Sequence, residues 1–114
     1  MLNGLGGLGD MAKMMKAAKD MQTRMGEMQQ QLAQIVVKGE SGAGLVRAEA
    51  TAKGELTALS IDASIFNAED KEVVEDLILA AIKDVQKRAA ERSQLEMQKM
   101  AAEMGLPPDM NLPF

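Results

Sequence analysis

Apolar side chains recur along the first third of the chain at alternating spacings of three and four residues. The series is Met11, Met14, Ala18, Met21, Met25, Met28, Leu32 and Ile35. This spacing is typical of one helix face and predicts an a/d seam that packs against a second helix. Asp10 precedes the series and is predicted to cap the helix. The glycine-rich residues 1–9 are then predicted to be a flexible N-terminus.

After residue 35 the apolar pattern changes to a period of two, which is typical of strands. The β-branched run 35–38 predicts a first strand, and a glycine-rich turn is expected at residues 39–44. Residues 45–52 alternate, with Val46, Ala48, Ala50 and Ala52 on one face. A second turn at 53–55 leads to a third strand at 56–62. These segments predict a three-stranded antiparallel meander with one apolar face.

A second long helix is predicted to run from about residue 67 to Met104. Asn67 is expected to cap it, and Glu69 and Asp70 follow where the helix dipole favours acids. A broad apolar stripe that should cover the sheet extends to Ala89 and then narrows. It consists of Val74, Leu77, Ile78, Ala81, Ile82, Val85 and Ala89. Gly105 and the two prolines after Leu106 end the helix.

The predicted fold is therefore α+β, a single α-β-β-β-α domain at 10–104 with an irregular tail at 105–114. The first helix runs toward the sheet and the last runs away from it, and both are longer than so small a body can cover. Antiparallel packing would place Met11 near Met104. The expected result is a two-stranded, methionine-lined stalk with residues near position 16 alongside those near position 92.

The amino-acid composition removes most catalytic side chains. The 114 residues include no Cys, His, Trp or Tyr. The chain therefore has no imidazole, no thiolate and no metal site of the usual His/Cys kind. We expect no enzyme activity, no cofactor and no small-molecule substrate. The scarcity of aromatic rings disfavours single-stranded nucleic acid, which proteins hold by stacking bases.

Length and hydropathy set two further expectations. A chain of 114 residues can build only a marginal core, so an oligomer is the default expectation. No stretch of about 18 uncharged apolar residues is present, so a membrane span is not expected. The absence of cysteine is consistent with a cytoplasmic location.

The net charge of −4 is unevenly distributed along the sequence. Acidic residues concentrate in the 63–82 segment, whereas segments 1–34 and 83–104 each carry one more basic than acidic residue. From the residues alone, the basic side chains are interpreted as ordinary solvated charges. Helical spacing pairs Lys87 with Glu91 and Lys99 with Glu103.

Two glycine-rich segments resemble phosphate-binding motifs in their residues but lack the neighbouring elements that such motifs require. Gly4, Gly6 and Gly9 match G-x-G-x-x-G, but no strand precedes them and no βαβ unit follows. The 39–44 segment does not lead into a helix N-terminus, and a hairpin that needs unusual backbone angles is favoured. Neither pattern therefore predicts a nucleotide site.

The order and spacing of these features resemble the YbaB/EbfC family of nucleoid-associated DNA-binding proteins. The matching segments are the Met/Gln/Lys-rich first helix, GESGAGLV at 39–46, Ile61-Asp62, the acidic 69–72 with 74–77, Ala80-Ala81, and the closing 105–108 and 112–114. The resemblance implies a bacterial, cytoplasmic homodimer located at the nucleoid. Its projecting helical arms would bind double-stranded DNA with little sequence preference and alter DNA conformation and gene expression.

The resemblance also implies that basic residues on the arms contact phosphates. These residues are Lys13, Lys16, Lys19, Arg24, Lys83, Lys87, Arg88, Arg92 and Lys99. The main alternative is a non-enzymatic, chaperone-like interaction module whose methionine-lined arms hold apolar clients. The two hypotheses differ in the response of binding to salt, which weakens phosphate contacts much more than apolar ones.

Overall fold

The computed structural model describes the backbone of residues 2–105 and the side chains of residues 9–105. Helix α1 spans Leu2–Gln34, and strands β1, β2 and β3 span Val36–Ser41, Val46–Thr51 and Leu56–Ile61. Helix α2 spans Lys71–Glu103 and follows two short 3₁₀ turns, Ala63–Ile65 and Ala68–Asp70. The predicted α+β class and the α-β-β-β-α order are confirmed. No helix in the described range is long and apolar enough to cross a membrane.

The three strands form an antiparallel sheet in the order β1-β2-β3. The predicted alternation in β2 is confirmed, because Val46, Ala48 and Ala50 are buried against Ala81 and Val85 of α2. Small side chains on both surfaces let the helix lie close to the sheet. The larger of two buried clusters therefore consists of one helix packed across β1 and β2.

The glycine-rich segment forms less of a turn than the sequence predicts. Strand β1 continues through Gly39 to Ser41, and the turn occupies only residues 42–45. Gly39 pairs with Ala48 in the strand. A Cβ atom built at Gly39 would lie 2.5 Å from the backbone nitrogen of Val85, so glycine here permits the close approach of α2.

Both predicted helix caps are wrong. Helix α1 begins at Leu2, so Asp10 lies within the helix and does not cap it. Asn67 makes no side-chain capping hydrogen bond, and α2 begins only at Lys71, after a 3₁₀ turn. The predicted end of α2 is confirmed, since Met104 is the C-cap and Gly105 has a φ of 75°. The divisions at 1–9 and 105–114 stay predictions, and the tail after Gly105 lies outside the described residues.

The helices pair only near their C-terminal ends. Met28 and Leu32 of α1 are buried with Ala52 and Met100. The Arg24 Nη1 atom lies 4.0 Å from the Glu103 Oε2 atom, so α2 ends beside Arg24. We call the ends of the two helices, residues 24–34 of α1 and 92–103 of α2, the arm base. We call residues 9–23, which extend beyond α2, the outer arm.

The predicted position of α2 along α1 is therefore wrong. Met104 packs at the arm base, not beside Met11, and Met11 is exposed. At about 1.5 Å per residue, Lys16 lies about 12 Å outward from the Arg24–Glu103 pair and Arg92 about 16 Å inward. Positions 16 and 92 are not side by side, because α2 uses most of its length to cross the sheet. The radius of gyration is 21.7 Å, against about 13 Å for a compact chain of this length, so the arm does project.

Candidate nucleic-acid interface

The outer arm carries three exposed lysines, Lys13, Lys16 and Lys19. On a helix of about 3.6 residues per turn they centre about 180° from the seam formed by Met11, Met14, Ala18 and Met21. Within the described residues none of the three lysines forms an ion pair. Asp20 is the acidic residue that shares their side of the helix. The outer arm thus presents a mostly basic face opposite an apolar face.

Three of the predicted basic residues lie at the arm base, and each forms an ion pair with an acidic residue. They are Arg24, Arg92 and Lys99. The Glu96 Oε1 atom lies 3.0 Å from Arg92 Nε and 3.5 Å from Lys99 Nζ. The Arg92 hydrogen bond holds the pKa of the Glu96 carboxyl below its ordinary value. Arg24 shares a groove of about 120 Å³ with Lys99. The predicted Lys99–Glu103 pair is absent from the described ion pairs, because Glu103 pairs with Arg24 and Lys99 with Glu96.

Arg88 belongs to α2 and lies apart from the arm base, beside the edge strand β1. The Asp84 Oδ2 atom accepts hydrogen bonds from the Glu40 backbone N–H at 2.9 Å and from Arg88 Nε at 3.1 Å. The Glu40 N–H, followed by Arg88, lowers the pKa of the Asp84 carboxyl. Asp84 therefore fastens α2 to β1 and also holds the Arg88 side chain in one orientation.

Two basic residues that the sequence analysis missed lie close to Arg88. Lys38 and Arg47 line a groove of about 430 Å³ together with Arg88. The strand register places Lys38 opposite Glu49 and Arg47 opposite Glu40. The alternation of β2 indicates that Arg47 faces away from the core, but only the register brings it beside Lys38.

Lys83 and Lys87 lie apart from both groups. Each follows a buried residue, Ala81 or Val85, by two positions, which places it on the side of α2 that faces away from the sheet. Both are exposed, and within the described residues the predicted Lys87–Glu91 ion pair does not form. The nine predicted residues therefore occupy four places rather than one continuous stalk surface.

The contacts of Asp84 predict how acid affects the stability of the fold. A carboxyl with a lowered pKa stabilises the folded state above its unfolded pKa of about 3.9, and that stabilisation is lost as the pH falls through the folded pKa. We expect Asp84→Asn to lower the melting temperature at pH 7, with the difference from the parent shrinking toward pH 2. Thermal unfolding followed by circular dichroism at both pH values measures this. An equal difference at the two pH values would show that the charge of Asp84 has no role.

Taken together, the described side chains can neutralise phosphates at several points along an elongated molecule that measures 82 × 23 × 19 Å. Among them there is no group of three acidic, His or Cys residues that could hold a metal ion. The exposed lysines are spread along helices, as in surfaces that follow a polyanion without reading bases. The geometry supports electrostatic binding.

Comparisons with known proteins agree with this architecture. A model of the YbaB/EbfC DNA-binding family matches residues 7–104. A protein of Methylocella silvestris described as "Nucleoid-associated protein" is 41% identical over 105 residues, which cover 92% of this chain and 98% of that protein. The crystal structure of an uncharacterized Helicobacter pylori protein has a TM-score of 0.65 at 24% identity, covering 80% of this chain and 91% of that one. The similarity to the Helicobacter pylori protein concerns the fold alone.

Proposed function

Since the chain belongs to the YbaB/EbfC DNA-binding family, we propose that it is a cytoplasmic, nucleoid-associated protein that binds duplex DNA as a homodimer. The observation that carries this proposal is the basic face of the outer arm, where Lys13, Lys16 and Lys19 are exposed. The relative described as nucleoid-associated aligns with nearly the whole chain, which supports the same role here.

The proposed mechanism is electrostatic. Lysine and arginine side chains contact phosphates and release the counterions condensed on the duplex, so binding depends little on base sequence. The outer arm supplies the ammonium groups of Lys13, Lys16 and Lys19. The arm base and the β1 edge supply Arg24, Arg92, Lys99 and Arg88, whose ion pairs with acidic residues would have to exchange for phosphates. A two-fold dimer presents two arms for one duplex, and by this grip we propose that it alters DNA conformation.

The third strand supports the proposed dimer. Helix α2 covers β1 and β2, whereas Leu56 and Leu59 of β3 remain 47% and 50% exposed. Leu59 pairs with the buried Ala48 and so lies on the apolar side of the sheet. The surface of the chain is 8418 Å², against about 6,000 Å² for a compact monomer of this mass. Packing the uncovered face of β3 against a second copy would bury part of this excess.

A pair of neighbouring substitutions in β3 tests the dimer. We expect Leu59→Asp to shift the mass measured by light scattering from dimer to monomer, because a charge would be buried in the interface. Ser60→Asp is the matched control, since Ser60 pairs with Arg47 on the opposite face of the sheet. Dimers that persist in Leu59→Asp, or that dissociate equally in both variants, would place the interface elsewhere.

The salt dependence of DNA binding tests the mechanism. Contact with about four to eight phosphates gives a slope of log affinity against log salt of about −4 to −7. Mobility-shift titrations with unrelated duplexes of equal length should give similar affinities and this slope. A flat salt response would contradict phosphate binding.

A client-aggregation assay run beside the same salt titration separates the chaperone-like alternative, which one observation favours. Met11, Met14 and Met15 are 60%, 70% and 71% exposed, and exposed methionines suit irregular apolar partners. That function predicts capture of an unfolded protein with weak salt dependence. Salt-reversible binding to any duplex, without suppression of client aggregation, is the result expected for the DNA-binding function.

A further inference from the structure

Helix α1 has an apolar face that no element in the described part of the chain covers beyond the end of α2. At the arm base, Met28 and Leu32 of the heptad seam are buried against α2. Farther out, the same seam carries Met11 and Met14, which are 60% and 70% exposed. Met15 beside them is 71% exposed. The outer arm therefore presents a broad apolar face on the side of α1 that packs against a helix at the arm base.

The composition of the uncovered part of α1 also calls for a packing partner. The helix begins at Leu2, and four of its first eight residues are glycines. Each glycine inside a helix costs about 1 kcal/mol relative to alanine. Helices in proteins are stabilised mainly by the packing of an apolar face. A second helix packed on the seam would offset the cost of the glycines.

The arm base shows which kind of partner the seam accepts. There α2 packs antiparallel on α1 and contributes Met100, with Met97 and Met104 packed beside it. The seam of the outer arm consists of methionine and alanine and offers the same kind of surface. The outer arm of a second copy, placed antiparallel, therefore matches the partner that the inner part of the seam already has.

Length and heptad register give the same alignment for two such arms. The uncovered stretch runs from residue 2 to residue 23, because α2 ends beside Arg24. When a second copy fills this stretch from end to end, its residue 2 lies level with residue 23. Met11 then lies level with Met14 of the second copy, so that seam positions face seam positions. A shift of one residue would place Lys13 or Met15 there instead.

Side-chain sizes are complementary in this alignment. Ala18 and Met21 come level with positions 7 and 4 of the second copy, which are both glycines. Small residues opposite larger ones let two helices approach closely and fill the space between them. The two central layers, in which Met11 meets Met14, are therefore flanked at each end by layers that contain a glycine.

The charges around the seam are compatible with the same alignment. Lys13, Lys16 and Lys19 centre on the opposite side of α1, so they do not meet their counterparts across the contact. Asp10 lies on one flank of the seam, on the same side of the pair as Lys13 of the second copy. The two residues are about 3 Å apart along the helix axis. This pairing of opposite charges occurs twice, because the antiparallel pair is two-fold symmetric.

We propose that the outer arm binds the outer arm of a second copy as an antiparallel pair, with Met11 of each helix packed against Met14 of the other. The contact is one helix pair about 33 Å long. It is small beside the roughly 1,200–2,000 Å² of stable interfaces, so the association is weak at low protein concentration.

This contact is separate from the other two proposed contacts of the chain. The bodies of the two copies lie at opposite ends of the pair, which leaves β3 of each copy free. Arm pairing therefore depends neither on DNA binding nor on the proposed β3 dimer, and each can fail without the others. Where the β3 contact also forms, arm pairing joins dimers into chains.

Single cysteines test the pairing and its direction. The chain has no Cys, so a mixture of Met11→Cys and Met14→Cys proteins forms disulfides only between copies. Random collision in an equal mixture makes half of the disulfides mixed. We expect mild oxidation to give a mixed share well above half, measured by mass spectrometry. Met21→Cys alone should form almost none, because the antiparallel alignment separates the two residues by about 25 Å along the axis.

A mixed share of half or less would overturn the proposal. A Met21→Cys disulfide as abundant as the mixed one would show parallel pairing and would overturn it too.

Light scattering measures the association itself. The Leu59→Asp chain is used so that the proposed β3 contact does not contribute, and we expect its mass to double as the concentration rises. Adding Met14→Asp should abolish the doubling, because a charge would be buried in the pair. Adding Ala12→Asp makes a similar change on the lysine-bearing side of α1 and should leave the doubling intact. Circular dichroism shows whether each variant keeps its helices.

No rise in mass without the arm substitutions, or an equal response to Met14→Asp and Ala12→Asp, would contradict arm pairing. If Leu59→Asp does not lower the mass of the dilute protein, the β3 proposal has failed. The comparison of Met14→Asp with Ala12→Asp still tests the arm contact in that case.

Discussion

Replacing Gly39 with alanine is expected to destabilise the protein by about 3 kcal/mol, the upper end of the usual cost of overpacking a core. The added Cβ would lie 2.5, 2.7 and 2.8 Å from the N, Cα and Cβ atoms of Val85. Two of these atoms belong to the backbone of α2, so no side-chain rotation relieves the clash. The helix would have to move away from β1, and the Asp84 hydrogen bond to the Glu40 N–H would lengthen or break.

Urea unfolding of Gly39→Ala measures this loss as a lower midpoint. Gly26→Ala is the matched control, because it makes the same chemical change within α1, where the new Cβ meets no atom within 4 Å beyond its chain neighbours and the local helix backbone. Alanine has the higher helix propensity, so this control should gain about 0.5–1 kcal/mol. A Gly39→Ala protein as stable as the parent would mean that α2 does not approach β1 as closely as the structure places it.

Reversing the charge of the three outer-arm lysines is expected to lower DNA affinity more than reversing charges elsewhere on the chain. In Lys13→Glu, Lys16→Glu and Lys19→Glu combined, three phosphate contacts are replaced by repulsion. Counterion release alone gives a loss of more than about 100-fold at about 0.1 M salt, and a salt slope smaller by about 3 for each arm that contacts DNA. A salt-titrated mobility shift measures both quantities.

Two controls show whether position or total charge is responsible. The corresponding three arginine substitutions keep the charge of the outer arm and should keep the affinity. Lys71→Glu reverses a charge at the start of α2, where Lys71 pairs with Glu75, and should have little effect. If the glutamate variant binds as the parent does while its circular dichroism is unchanged, the outer arm is not the DNA-contact surface.

The local elements were predictable because each depends on neighbouring residues. The spacing from Met11 to Ile35 predicts a helix with one apolar face, and the alternation from Val46 to Ala52 predicts a strand with one buried face. Both elements are confirmed in the described residues, but of the helix seam only Met28 and Leu32 are buried. Gly105 likewise marks the end of α2, because a residue with positive φ stops a helix and glycine adopts that conformation easily.

Two of the errors arose where distant segments meet. The local pattern of residues 39–44 favours a turn, yet Gly39 and Glu40 belong to β1. Their conformation is determined by pairing with β2 and by the close packing of Val85 of α2 on Gly39. The Lys99–Glu103 pair was predicted from helical spacing. Arg24 competes for Glu103, and Glu96 accepts Lys99 instead.

Some features of the candidate interface follow from the sequence, and others require the tertiary structure. The identity of the basic side chains and the opposition of lysines and methionines on α1 follow from the sequence, because helix geometry relates positions that are near in the chain. The neighbourhood of Arg88, Lys38 and Arg47 does not, because it requires the strand register and the Asp84 contact to β1.

By itself the sequence determined the class of fold, the order of its elements and the apolar faces by which they pack, since hydrophobic periodicity records these locally. Only the tertiary structure decided how far along α1 its partner helix reaches. That position depends on how much of α2 is used to cover β1 and β2, a length set by the packing of Ala81 and Val85 on small strand residues. For this reason α2 ends beside Arg24, and the outer arm extends beyond it.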